Sequence, residues 1–73
     1  MSQITTTVRL SGASPDSVED GVRTVLARAA VTIDEIVRFD VVHTGGTVDS
    51  SGVPTEFEVT LDITFVVKES VHG

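Results

Sequence analysis

The sequence predicts an α+β domain of strand, helix, strand and strand, a three-stranded antiparallel sheet wrapped around one helix. Three observations predict it. Between Thr55 and Val67, the apolar residues Phe57, Val59, Leu61, Ile63, Phe65 and Val67 fall on every second position, with Glu56, Glu58, Thr60, Asp62 and Thr64 between them. A period of two sends the two sets to opposite faces of a strand. Val18, Val22, Val25, Leu26 and Ala29 instead recur at helical spacing and make one apolar stripe. Finally, Asp49-Ser50-Ser51-Gly52-Val53-Pro54 has the composition of a turn, so the strands on either side of it pair antiparallel.

The elements follow in order. Gln3 to Leu10 reads as the first strand, with Ile4, Thr6, Val8 and Leu10 alternating against Thr5, Thr7 and Arg9. Ser11-Gly12-Ala13 is expected to break it. Ser14-Pro15-Asp16 then predicts the helix start, with Ser14 as cap, Pro15 in the first helical position, and Asp16, Glu19 and Asp20 near the positive end of the dipole. Glu19 and Arg23 are spaced for an i,i+4 ion pair. Gly21 is costly inside a helix, and its place beside Val18 and Val25 is compatible with a close packing contact. The helix is expected to end between Thr32 and Asp34, because Asp34 and Glu35 oppose the negative end of its dipole.

A second strand is expected from Ile36 to Thr44. Strict alternation puts Val37, Phe39 and Val41 on one face and Ile36, Arg38, Asp40 and Val42 on the other. Gly45-Gly46 would then allow a bulge or bend. The expected core residues are Leu26, Phe57, Leu61 and Phe65. The sheet face away from the helix would carry Arg9, Ile36, Arg38, Asp40, Val42, Glu58 and Thr60, a mixture of apolar and charged groups that reads as an oligomer contact.

A chain of 73 residues is expected to form a single domain over 1–73. At that size only about 60% of the unfolded surface is buried, so the core is marginal. With no cysteine, disulfides and thiolate metal sites are excluded, which leaves oligomerisation as the expected support. Eleven carboxylates against Arg9, Arg23, Arg28, Arg38 and Lys68 give a net charge of −6. Such a surface argues against nucleic acid and anionic membranes as partners. No signal segment or long apolar run is apparent, and the cytoplasm is the simplest expected location.

Over nearly its whole length the chain resembles the dodecins, small flavin-binding proteins. The resemblance is carried by Leu10-Ser11-Gly12-Ala13-Ser14-Pro15-Asp16-Ser17, by Ala27-Arg28-Ala29 and by the strand from Phe57 to Phe65. It implies a hollow homododecamer that binds flavin (FMN or riboflavin) in stacked pairs, for storage or protection from light. Two site positions carry over. Where the family stacks a tryptophan on the isoalloxazine ring, this chain has Arg38, and where a glutamine bonds the ring edge it has Glu58. A guanidinium can still stack on a π-system, whereas a carboxylate only accepts hydrogen bonds. An ion pair between Arg38 and Glu58 is the favoured expectation for these two side chains. The alternative function is a structural or cation-binding relative that has lost flavin binding.

No catalytic set emerges, and a non-enzymatic binding protein is expected. His43 and Asp40 are close in sequence, but their parity assigns them to opposite faces. Ser50 and Ser51 sit in a turn without a base, and His72 lies in the tail. Glu56, Glu58 and Asp62, or Asp49 with turn carbonyls, offer oxygen ligands that suit a hard cation. Neither group has ligands at fixed loop offsets, so no metal site is predicted.

Overall fold

The computed structural model describes residues 3–67; Lys68 and His72 lie outside them. Strand β1 (Thr5–Ser14) leads to helix α1 (Val18–Thr32), followed by β2 (Ile36–Val48) and β3 (Pro54–Val66). The sheet has the order β1-β3-β2, antiparallel throughout, so the long alternating strand is central. The predicted strand–helix–strand–strand architecture is the one observed.

The helix covers one face of this sheet. Leu61 and Ile63 are wholly buried there, with Val59, Val25 and Ala29, and with Val8, Val18, Val22, Leu26, Ile33 and Ile36 packed around them. Of the four expected core residues only Leu61 is fully enclosed. Leu26, on the helix, is half-buried, as are Phe57 and Phe65 towards the ends of β3, since a 15-residue helix about 22 Å long cannot cover a strand of about 43 Å. Gly21 is buried against Val59, but a Cβ there would meet both Val59 methyl groups at 3.4 Å, an ordinary contact that does not require glycine. Arg23 and Glu19 form the expected pair at 2.8 Å.

Several boundaries differ from the sequence reading. β1 does not break at Ser11-Gly12-Ala13 but stays paired through Ser14, opposite Phe57. Gly12 serves the helix instead, since a Cβ there would lie 2.6 Å from a Val25 methyl. The helix start also moves. Its N-cap is Ser17, whose Oγ accepts from the Asp20 amide at 3.0 Å. Ser14 is buried one turn earlier; its Oγ accepts from the Asp16 amide and donates to the Asp20 carboxylate at 2.6 Å. Pro15 therefore lies ahead of the helix, in the link between the two serines. The end of the helix at Thr32 is as expected. There Glu35 takes up a left-handed backbone (φ 55°), and its carbonyl accepts from the Val66 amide.

The largest departure lies in β2. Its register against β3 shifts between Ile36 and Arg38 and again between Val41 and His43, leaving Val37 and Val42 as extra residues. Each bulge reverses the parity that follows it. Ile36 lies opposite Phe65, Phe39 opposite Ile63 and Val41 opposite Leu61, so all three take the helix side. Arg38, Asp40 and His43 lie opposite Thr64, Asp62 and Thr60, on the other side. Gly45 and Gly46 are not bulged but paired in register with Glu58 and Phe57. At Gly46 a side chain would collide with the Glu56 carbonyl, which explains glycine there.

Candidate functional site

The face of the sheet without the helix is built as a row of cross-strand rungs, each opposed pair sharing one side of the pleat. On β1 and β3 the rungs are polar and mostly closed. The Thr7 and Thr64 hydroxyls bond at 2.9 Å, Arg9 grips Asp62 through both carboxylate oxygens at 2.7 and 3.1 Å, and the Ser11 and Thr60 hydroxyls bond at 2.9 Å. On β2, Arg38 grips Asp40 in the same two-pronged way, at 2.7 and 3.2 Å. Asp40 and Asp62 are opposed in register, so Arg9, Asp62, Asp40 and Arg38 make a row across three strands. The hydrogen bonds from Arg9 and Arg38 hold both carboxyl groups below the ordinary aspartate range, each against some desolvation.

The next rung is different. Glu58 lies between Ala13 on one side and Gly45 on the other, neither of which has a polar side chain. Nothing among the described residues engages its carboxylate. The gap opens into a shallow hollow of about 340 Å³ lined by Ser11, Gly12, Ala13, His43, Glu58, Val59 and Thr60. The His43 ring lies over Gly45, with Nε2 3.1 Å from the place a Cβ would occupy. A side chain at Gly45 would press on the tip of the imidazole, which lines the hollow together with Glu58.

The two predicted site residues, Arg38 and Glu58, do share this face, but the structure does not bring them together. Arg38 is level with Thr64, six residues along β3 from Glu58, which is about 20 Å of strand. The expected ion pair between them does not form within the chain, because Asp40 is within reach of the guanidinium and Glu58 is not. The expected separation of His43 from Asp40 is also overturned, since the bulge at Val42 returns both to one face. His43 is the lining residue that sequence reasoning missed. The available signal was the pair of apolar dipeptides, Ile36-Val37 and Val41-Val42, at which strict alternation fails. Each marks a bulge.

The bulges also correct the expected oligomer face. Ile36 leaves the helix-free face, which is mainly polar, and the bare apolar surface is on the opposite side of β2. Helix α1 packs chiefly on β1 and β3, leaving Phe39 43% and Val41 46% exposed, with Val37 also in solvent. The possible oxygen-donor groups are dispersed. Asp62 is held by Arg9, and Asp49 Oδ1 accepts from the Ser51 and Val53 amides. No cluster of three or more metal-ligating side chains occurs among the described residues. Nor is any described helix long and apolar enough to cross a membrane.

Fold and face together define a small protein of one helix on a three-stranded sheet, with a mainly polar, helix-free face that opens a shallow hollow. The family model for dodecin matches residues 4–68, and the chain belongs to the dodecin family. Among solved structures it is similar to an arginine-to-alanine variant of the Thermus thermophilus dodecin, at 31% identity over 93% of this chain and 100% of that one, with a TM-score of 0.86. The Streptomyces coelicolor dodecin is 28% identical over 93% of this chain and 96% of its own, also with a TM-score of 0.86. A Mycobacterium tuberculosis protein described as a calcium dodecin with a novel calcium-binding site shares the fold, with a TM-score of 0.77 and 24% identity over 96% and 99% of the two chains. No curated protein sequence matches this chain.

Proposed function

We propose that this dodecin is a non-enzymatic, cytoplasmic binding protein that sequesters a small planar ligand in a hollow homododecamer. The observation that carries the ligand reading is the open rung at Glu58, a hollow at the position where the family contacts its ligand. Assembly is supported by the bare apolar side of β2, which a second copy would cover. Flavin, as FMN or riboflavin, is the ligand that family membership favours, with Glu58 in contact with the ring edge. Arg38 belongs to the same site only if a second subunit brings it there.

The cation-binding alternative draws on Asp40 facing Asp62 and on the calcium described for the mycobacterial relative. It is the weaker reading for this chain, because an arginine occupies both oxygens of each aspartate. Sedimentation and absorbance of the purified protein test the proposal together. The expected result is a discrete particle of twelve subunits that takes up an added planar heterocycle. A stable monomer at micromolar concentration, or a particle that takes up calcium and no heterocycle, would reject it.

A further inference from the structure

The hollow at Glu58 constrains the chemistry of its occupant as well as its size. We propose that it selects a planar heterocycle presenting two adjacent N–H donors, the 2-amino-4-oxopyrimidine edge of a pterin or guanine ring. This assignment rests on the small-ligand binding function proposed for the same hollow. His43 supplies the stacking surface and Glu58 the edge recognition.

Three observations support the assignment. The first is the state of Glu58. The three rungs next to it between β1 and β3 are closed by a hydroxyl pair or an ion pair, whereas Glu58 faces Ala13 and Gly45. Its carboxylate, on the lining of the hollow, keeps two acceptor oxygens and no donor. Two parallel N–H groups match two carboxylate oxygens, in the manner of a guanidinium fork. The isoalloxazine edge runs carbonyl, N–H, carbonyl, so a carboxylate that meets its N–H also sets an oxygen against a carbonyl. That contact leaves an acceptor desolvated and unpaired.

The second observation is the position of His43. The three phenylalanines are accounted for elsewhere: Phe57 and Phe65 lie on the helix side of β3, and Phe39 pairs with Ile63 on that same side. The sequence has no tryptophan or tyrosine. Among the described residues, His43 is therefore the only aromatic ring on the helix-free face, and it lines the hollow. The third is the floor beneath it. With no side chain at Gly45 the imidazole tip has room there, with Nε2, Cε1 and Cδ2 at 3.1, 3.9 and 4.0 Å from the missing Cβ. Arg38 cannot take this part within the chain, being bound to Asp40 and six residues away along β3.

Both pterin and riboflavin fluoresce, so one titration format serves for each. The assembled wild-type protein and the Glu58→Gln, His43→Ala, His43→Phe and Gly45→Ala variants are compared, with sedimentation confirming that each remains assembled. Wild type is expected to bind pterin about tenfold or more tightly than riboflavin, the worth of one charge-assisted hydrogen bond. Glu58→Gln should weaken pterin and strengthen riboflavin, reversing the order. His43→Ala and Gly45→Ala should weaken both ligands, the second by displacing the ring, while His43→Phe retains binding. A wild-type preference for riboflavin that survives Glu58→Gln, or indifference of both ligands to His43→Ala, overturns this assignment and leaves the binding function standing. Failure of the wild type to bind either compound overturns the binding function and this inference with it.

Discussion

β1 and β2 both pair along β3, yet the helix covers only one of them. Val8, Gly12 and Ser14 on β1 lie under or beside α1, and Ser14 is almost fully buried. Phe39 and Val41 on β2 occupy the equivalent inward positions opposite Ile63 and Leu61 and remain nearly half exposed. The cause is geometric. A helix is about 10 Å across and strands are about 4.8 Å apart, so one helix spans roughly two strands. Gly12 decides which two, because the absence of its side chain draws the Val25 face of the helix towards β1. The molecule thus has a half completed by its own helix and a half that another surface must complete.

The sharpest way to test this contrast is to truncate apolar side chains in each half. Leu61→Ala removes a wholly buried side chain and is expected to cost about 2–5 kcal/mol in chemical denaturation. The double variant Phe39→Ala with Val41→Ala should instead act through assembly. It is expected to dissociate on dilution where wild type does not, as read by sedimentation across a concentration series. Should the double variant lose the same stability at every concentration, β2 is completed within its own chain and the contrast collapses.

A second test concerns the ligand face. Replacing the family's aromatic and amide positions is expected to weaken flavin binding by about 0.5–1.5 kcal/mol for the lost stack and about 1–3 kcal/mol for the unpaired acceptor. Together these amount to roughly one to three decades in affinity. Arg38→Trp combined with Glu58→Gln should therefore bind riboflavin more tightly than either single variant, by fluorescence titration. Because the two positions lie about 20 Å apart along one chain, a combined gain on one ligand would also show that two subunits share the site. Equal affinities for the double variant and Glu58→Gln would place residue 38 outside it.

The glycines that set the helix on the sheet give a smaller, signed prediction. At Gly12 an added methyl group meets Val25 at 2.6 Å, and Gly12→Ala is expected to destabilise by about 1–3 kcal/mol through overpacking. At Gly21 the contact with Val59 is an ordinary 3.4 Å, so Gly21→Ala should gain up to about 1 kcal/mol from helix propensity. Thermal melts at one protein concentration separate the two signs. A loss at Gly21 would mean that the helix has no slack against β3.

The smallest effect is electrostatic. Asp40 and Asp62 have folded-state pKa values lowered chiefly by hydrogen bonds from Arg38 and Arg9. Their contribution is complete above the ordinary aspartate value of about 4 and is lost as pH falls through the depressed folded values. Both pairs are exposed, so the acid limb of a stability profile should be only slightly flattened by Asp40→Asn with Asp62→Asn. A shift near neutral pH in that variant would contradict this account.

By itself the sequence determined the order of the four elements, the apolar stripe of Val18, Val22, Val25, Leu26 and Ala29, the helix end at Thr32 and the turn from Asp49 to Pro54. These arise from periodicity and turn chemistry, which act between residues a few positions apart. Only the tertiary structure decided where β1 ends, which serine caps the helix, which side of the sheet Ile36 and His43 occupy, and which carboxylate Arg38 binds. Alternation encodes burial but not register. One extra residue at Val37 and another at Val42 leave the apolar pattern readable; Arg38 to Val41 between them keep the faces that alternation assigns, while Ile36 before and His43 after change sides. His43 entered the candidate site by that route, and Arg38 binds Asp40, its neighbour two residues along β2, because the register puts Glu58 out of reach.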